Sequence, residues 1–257
     1  MGLPTIDEGR HGDLILVVGT VSVTGIRNWT TALPPLIRED RCGRAVLDAR
    51  RHPLVTVEAD QVRVESRLTG GQIGCPVCPG VLAPWGFARP RGVRGVGPLR
   101  PRRTRCSGCL VTHVLLPVTV LLRRADAARV IWAGLLARAA GRGHRPIGLL
   151  LGVPESTVRG WLRRLASRLE AVRVHFVLVA RRAGVDLAVP KALGSPWQDV
   201  VAAVGAATEA VTGRYGPAGV IGPMTAWQVA SASSGGRLLS PGWPTGLPGA
   251  GCNTSCP

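Results

Sequence analysis

The 257-residue sequence predicts a mainly α-helical protein that carries one small β unit and ends in a disordered tail. Three observations favour this fold class. Apolar residues recur at helical spacing after residue 125, short strand-like stretches surround two C-x-x-C pairs, and the last 44 residues are rich in Gly, Pro and Ser. Aromatic residues make up only 4% of the chain, beside 34 Gly and 21 Pro, so one large hydrophobic core is not expected.

Charge is distributed unevenly along the chain. Residues 1–65 contain 8 of the 32 basic residues and 9 of the 15 acidic residues, so the net charge of +17 arises entirely after residue 65. Between Ser66 and Ala125 there are 10 Arg and no acidic residue. A G+C-rich genome explains the preference for Arg over Lys, but it does not explain the missing acids. Because such a field attracts polyanions, nucleic acid is the first partner that the sequence indicates.

Residues 1–57 are interpreted as a weakly ordered segment with one possible strand at Leu14–Val23. Acidic residues precede that apolar stretch and no small-residue cleavage site follows it, so a secretory signal is not expected. No apolar run approaches the ~20 residues of a membrane span. We therefore expect a cytoplasmic, nucleoid-associated protein that makes no membrane contact.

Residues 58–118 contain a helix at Glu58–Leu68 and then two C-x-x-C pairs that are 27 residues apart. Two residues between cysteines let both sulfurs face a single ion, so the pairs predict a closed tetrahedral site for structural Zn²⁺ in a small β zinc ribbon. The predicted ligands are Cys75, Cys78, Cys106 and Cys109. A thioredoxin-like redox pair is the alternative, but it lacks a βαβ context.

Two further questions about this ribbon stay open at the sequence level. His113, four residues after the last cysteine of the pairs, is an alternative ligand, whereas Cys42, Cys252 and Cys256 have no comparable setting. The segment between the pairs is rich in arginine, which suits phosphate contacts. The residues chosen for this role are Arg102, Arg103 and Arg105.

Residues 123–183 are predicted to form three helices, of which the third is long. Helical spacing indicates one helix at Asp126–Ala140, a second from Arg145 to Leu151, and a third that starts near Ser156. A heptad pattern extends the third helix to Ala183, and residues 184–213 repeat that pattern. The two apolar stripes indicate either an antiparallel hairpin or a dimer surface. Residues 214–257 are interpreted as a flexible tail with at most one helical turn near Met224.

The segment His144–Arg164 matches the requirements of a helix-turn-helix. Such a motif needs apolar residues at fixed positions on two helices, a small residue where the helices touch, and usually Gly in the turn. Gly148 and Gly152 supply the small contact and the turn. The predicted core residues are Ile147, Leu151, Val153, Val158 and Trp161.

The third helix of this segment carries the predicted DNA contacts. Ser156 or Glu155 is expected to cap the helix, and Arg159 and Arg163, one turn apart on the outward face, suit bidentate recognition of guanine in a major groove. Ser156 lies on the same face. The residues expected to contact phosphates are Arg145, Thr157 and Arg164.

The order of motifs resembles a known arrangement. CPVC, APWGFARPRGVR, RPRRTRCSGCLVTHVLLP and GRGHRPIGLLLGVPESTVRGWLRR follow one another in residues 58–170. This order resembles an uncharacterised family of high-G+C bacterial proteins that join a Cys₄ zinc ribbon to a helix-turn-helix, and it is similar to the N-terminal DNA-binding part of insertion-sequence transposases. The resemblance implies zinc at the four cysteines, DNA contact from the helix near Ser156 and an association with mobile elements.

The sequence favours a sequence-specific binder of double-stranded DNA that is not an enzyme. Transposase chemistry needs several acids that converge on metal ions, and only six acidic residues follow the ribbon. A homodimer or a separately encoded recombinase is a possible protein partner. Two alternatives are a transposase remnant that binds DNA without cutting it and a helical interaction protein that recruits a recombinase through its heptad stripes.

Overall fold

The computed structural model describes residues 54–184, 191–215 and 224–244. The possible strand at Leu14–Val23 and the cysteines Cys42, Cys252 and Cys256 lie outside these residues. In chain order the elements are β1 (Leu54–Val57), α1 (Gln61–Thr69), β2 (Leu82–Phe87), β3 (Arg91–Val93), β4 (Gly97–Leu99), β5 (Arg102–Cys106), β6 (Thr112–Pro117), α2 (Ala128–Ala139), α3 (His144–Leu151), α4 (Glu155–Ala166), α5 (Leu169–Ala183), α6 (Pro196–Tyr215) and α7 (Ala226–Ser233). The predicted mainly helical class with a small sheet is confirmed for this part of the chain.

Four strands form one sheet in the order β1-β6-β5-β2. Strands β6, β5 and β2 pair antiparallel, whereas β1 runs parallel to β6. Strand β1 belongs to the segment 1–57 that was predicted to be weakly ordered, so that prediction is wrong for residues 54–57. The reason is packing, because Val55 and Val57 are buried in one apolar cluster with residues of α1 and of the other strands. We call β1–β6 and α1 together the sheet unit.

Helix α1 covers one part of this sheet. Asp60 caps the helix, because its carboxylate accepts hydrogen bonds from the backbone N–H groups of Val62 and Arg63 at 2.8 and 3.3 Å. Val64 and Leu68 are buried in a cluster that contains apolar side chains of the sheet and two cysteines. This core is small, and a unit with so few buried apolar residues commonly needs a further cross-link to fold.

Helices α2, α3 and α4 pack around a common apolar cluster. The short turn between α3 and α4 starts at Gly152, whose φ of 62° lies in the left-handed region that favours glycine. Gly148 allows the close approach of this turn, because a Cβ there would lie 2.9 Å from the carbonyl oxygen of Val153. Four predicted core residues are buried and Leu151 is half-buried against the same cluster; the four are Ile147, Val153, Val158 and Trp161.

The heptad pattern predicted one long third helix up to Ala183, and this prediction is wrong. Helix α4 ends at Ala166 and α5 begins at Leu169. The guanidinium group of Arg168 donates to the carbonyl oxygen of Arg164 through Nε at 3.0 Å and through Nη2 at 2.7 Å, so a side chain satisfies a carbonyl at the end of α4. The apolar stripe continues on both sides of this break, and periodicity therefore gives no sign of it.

Helices α5 and α6 pack against each other, but not as an antiparallel hairpin. Near their starts, Glu170 of α5 and Asp199 of α6 line the same small cavity. Near their ends, Arg214 of α6 donates to the carbonyl oxygen of Arg182 of α5 at 3.0 Å. The helices therefore run in the same direction. The twelve residues between them can span about 40 Å, which exceeds the ~22 Å length of α5.

The predicted flexible tail is wrong for residues 224–244. Helix α7 starts with a capping box formed by Thr225 and Gln228, a T-x-x-Q pattern that is visible in the sequence. Composition suggested disorder, but the few large apolar residues after α7 are buried in the core that α2–α7 share, which we call the helical unit. These residues are Leu238, Leu239 and Trp243. The first part of the predicted tail, Arg214 and Tyr215, is the end of α6.

We expect the stability of the helices to depend on pH because of the imidazole of His175 on α5. The ring lies 4.8 Å from the ring of Trp243 and 5.2 Å from that of Phe176, measured between centroids. Burial lowers the pKa of His175 to about 4, against an opposing backbone hydrogen bond with Ser233. The unfolded chain binds the proton at about pH 6.5, so stability falls as pH falls below that value. We expect a loss of about 2 kcal/mol between pH 7 and pH 5 from this group.

Urea unfolding at several pH values tests this expectation. The matched variant is His175→Gln, in which this contribution is absent while all other titrating groups remain. From pH 7 to pH 5, the unfolding free energy of the wild type should fall by about 2 kcal/mol more than that of the variant. Two curves that stay parallel across this range would show that His175 is not held neutral in the folded protein.

Candidate metal centre and basic helix

The four cysteines of the C-x-x-C pairs converge on one point. Their sulfur atoms all lie within 4.8 Å of one another, with 3.7 Å between Cys75 and Cys109 and 3.3 Å between Cys78 and Cys106. A tetrahedral ion with metal–sulfur bonds of about 2.3 Å separates its sulfur ligands by about 3.8 Å. None of the four forms a disulfide. The arrangement therefore fits a metal ion held by four sulfurs.

Backbone turns hold the sulfurs in place. The N–H groups of Val77, Gly80 and Gly108 each donate to the sulfur two residues earlier, at 3.3–3.4 Å. Such donors stabilise thiolates. Gly80 also has a steric role, because a Cβ there would lie 2.8 Å from the sulfur of Cys106 and 2.9 Å from the backbone nitrogen of Gly108. The two turns approach each other closely only because this position has no side chain.

The four thiols differ in environment. Cys75 and Cys106 are each 1% exposed, whereas Cys78 and Cys109 are half-buried at the surface. Burial raises the pKa of Cys75. At Cys106 burial also acts to raise the pKa, but it is outweighed by backbone N–H donors and by Cys78, which lower the pKa to about 7. A thiolate at Cys106 is thus available near neutral pH, which is the form that binds metal.

His113 on β6 lies beside this cluster. It is fully buried, and its Nε2 lies 3.4 Å from the sulfur of Cys75. The group that could hold a metal ion among the described residues consists of the four cysteines, and His113 contacts one of them. Sequence analysis considered His113 only as a replacement ligand. Its position follows from the pairing of β5 with β6, which places it opposite the buried Thr104.

Helix α4 presents a basic face opposite its buried face. Val158, Trp161 and Leu165 are buried, whereas Arg159 and Arg163 are exposed. Neither arginine has a hydrogen-bond or ion-pair partner within the described ranges. Ser156 is also exposed at the start of the helix. The two guanidinium groups are therefore free to meet a ligand, one helical turn apart.

The other residues that were predicted near this helix are less available for a ligand. Arg145 forms an ion pair with Glu155 at 3.4 Å, and both side chains are well exposed, so this pair is weak. Nη1 of Arg164 donates to the carbonyl oxygen of Gly160 at 2.9 Å. Thr157 is half-buried. The predicted cap is wrong, because Pro154 occupies the N-cap position and no side chain accepts a hydrogen bond there.

The three arginines predicted on the β unit all lie on β5, but they differ in how firmly the fold holds them. Arg102 is engaged by Glu65 at 2.8 Å and by the ring of Phe87, so it is a poor candidate for phosphate contact. Arg105 lies over the ring of Trp85 at 4.7 Å. Arg103 is half-buried and lies on the same face as Arg105 by strand periodicity.

Comparison of the chain with protein-family models, with curated proteins and with solved structures finds no match. Among the described residues, no helix has both the length and the apolar character that crossing a membrane requires.

Proposed function

We propose that this protein is a zinc-dependent, sequence-specific binder of double-stranded DNA. In this proposal, the sheet unit is a zinc ribbon, and α3, the turn at Gly152 and α4 form a helix-turn-helix that is completed by α2. Helix α4 enters a major groove, where Arg159 and Arg163 contact bases. The sheet unit contributes phosphate contacts through Arg103 and Arg105.

Zinc is the metal that the ligand set favours. Four cysteine sulfurs in a closed, partly buried cluster are typical of structural zinc sites, which leave no coordination position open for a substrate. When bound, the ion supplies a cross-link between the two turns rather than chemistry. Cys75, Cys78, Cys106 and Cys109 would hold it, and the small core around α1 explains why the fold needs it.

The observation that carries the proposal is the exposed face of α4. A short helix is fixed by its buried side against α2 and α3, while its outward side carries two arginines that have no partner in the described part of the chain. Arginines one turn apart on a rigid helix can each make a bidentate contact with guanine. The excess of positive charge after residue 65 adds non-specific attraction to the DNA backbone.

The alternative of a helical interaction protein receives less support. Its basis was the pair of heptad stripes, and these stripes pack mainly against each other and against the rest of the core. Val172 and Phe176 on α5 and Val204 and Val211 on α6 are buried within the chain.

A DNA-binding transposase remnant differs from a regulator in its genomic surroundings, so inverted repeats in the flanking DNA would distinguish the two.

Single substitutions on α4 test the base-reading role. In Arg159→Ala or Arg163→Ala, we expect a loss of about 1–3 kcal/mol of binding free energy on the duplex that the wild type enriches from a random pool, with relaxed discrimination at one base position. The measurement is fluorescence anisotropy with the enriched duplex and with single-base variants of it. Neither substitution touches the core, so the unfolding midpoint should stay unchanged.

Arg181→Ala is the matched control, because it removes an exposed arginine from a different helix, α5. It should leave binding to all duplexes nearly unchanged. If the α4 variants also lose affinity equally on every duplex, α4 makes only backbone contacts and the assignment of base reading is wrong.

A further inference from the structure

Three arginines lie near the point where the chain passes from the sheet to the helices, because Leu121, two residues before Arg123, is buried in the same apolar cluster as Leu165 of α4. Arg123 and Arg124 directly precede the short stretch that leads into α2, and Arg164 lies in the last turn of α4. Burial lowers the pKa of Arg124, and repulsion by Arg164 and Arg123 lowers it further. Within the described ranges, no acidic side chain forms an ion pair with any of the three. Like charges without a counter-charge are the composition of an anion site.

The cluster also has unused hydrogen-bond donors. Nε of Arg124 is buried and has no acceptor in the described part of the chain. The side chain of Arg123 is exposed. The carboxylate of Asp126, the nearest acid in the sequence, is engaged by Nε of Arg94 at 2.7 Å. A buried donor that lacks an acceptor is unfavourable in the free protein and is satisfied when an oxygen-rich anion binds.

The backbone at Arg123 supports the same conclusion. Its φ of 57° lies in the left-handed region, and among the described residues only Leu110 shares this feature outside glycine. A long β-carbon-bearing side chain is unfavourable there, whereas glycine would be free of strain. An arginine at this position costs backbone strain, so its side chain gives the fold no conformational advantage over glycine there.

We propose that Arg123, Arg124 and Arg164 bind a phosphate group of the DNA backbone beside the groove that α4 reads. This inference rests on the proposed function and deepens it, because it extends the interface from α4 to the segment before α2. Arg164 links the two, since it belongs to the same helix as Arg159 and Arg163. Guanidinium groups suit this role because their planar donors match phosphate oxygens in pairs.

Arg123→Gly separates a binding role from a structural one. Glycine removes the side chain and relieves the strain, so the thermal unfolding midpoint should stay equal or rise. Binding to the enriched duplex and to a scrambled duplex should weaken by the same factor, and the slope of log K against log salt should decrease by about 1. Arg124→Gln should reduce the slope in the same way, whereas the control Arg181→Gln should leave it unchanged.

A DNA-independent probe separates this inference from the proposed function. Inorganic pyrophosphate is titrated into the zinc-loaded, full-length protein while arginine Nε–Hε signals are followed by NMR. We expect a saturable shift of the Arg124 signal in the wild type that is lost in Arg164→Gln. If the wild type binds duplexes but neither the slope nor the signal responds, the anion site is wrong and the proposed function stands. If the wild type binds no duplex, the assignment to DNA phosphate fails together with the proposed function, and the pyrophosphate titration decides whether an anion site exists at all.

Discussion

Removal of zinc is expected to unfold the sheet unit. Metal binding to comparable four-ligand sites contributes roughly 10–16 kcal/mol in apparent terms, and the apolar cluster around α1 is too small to replace it. Chelation, or substitution of a buried ligand as in Cys106→Ser, should therefore abolish the sheet signals in a ¹H–¹⁵N correlation spectrum. Signals of α2–α7 should persist, because these helices have a separate core.

Cys256→Ser is the matched control for the ligand substitution, because this cysteine does not belong to a C-x-x-C pair in the sequence. It should leave the zinc content at one ion per chain and the spectrum unchanged. Chelated protein that keeps the sheet signals would show that the four cysteines do not staple the fold.

Truncation of Trp161 is expected to have the second largest effect. The indole is 2% exposed and lies between α4 and α2, where a Cβ at Gly134 would be 3.5 Å from its ring. Trp161→Ala should lower the unfolding free energy of the helical unit by about 3–5 kcal/mol, because it removes buried apolar surface and leaves a cavity. DNA affinity should fall as well, since the packing of Trp161 against α2 helps to position α4.

Urea unfolding with and without the enriched duplex measures both effects. Leu149→Ala is the control, because Leu149 is 87% exposed on α3 and its truncation should change stability by no more than about 0.5 kcal/mol. A Trp161→Ala variant that unfolds at the wild-type urea concentration would contradict the packing described for α2–α4.

The features predicted correctly from the sequence depend on short-range patterns. Spacing alone placed Val158 and Trp161 on the buried side of α4, and the requirement for a left-handed residue placed Gly152 in the turn. The convergence of Cys75, Cys78, Cys106 and Cys109 followed from the geometry of C-x-x-C turns, which is local within each pair.

The features that sequence analysis missed depend on long-range packing. The break after Ala166 depends on Arg168, whose Nη1 donates to the carbonyl oxygens of Ser240, at 2.7 Å, and Trp243. His113 meets Cys75 only because β6 pairs with β5. The order of residues 224–244 depends on a few buried apolar side chains within a composition typical of flexible chains. None of these contacts leaves a periodic signal in the sequence.

A selection from a random duplex pool tests the central claim most directly. Zinc-loaded, full-length protein and a chelated sample are compared at physiological salt, and the retained duplexes are sequenced. The account predicts one enriched motif that Arg159→Ala relaxes at one position, and a strong loss of retained duplexes on chelation, because the phosphate contacts of the sheet unit are then lost. Retention of duplexes without any enriched motif would contradict it, because binding would then rest on the arginine-rich surface alone.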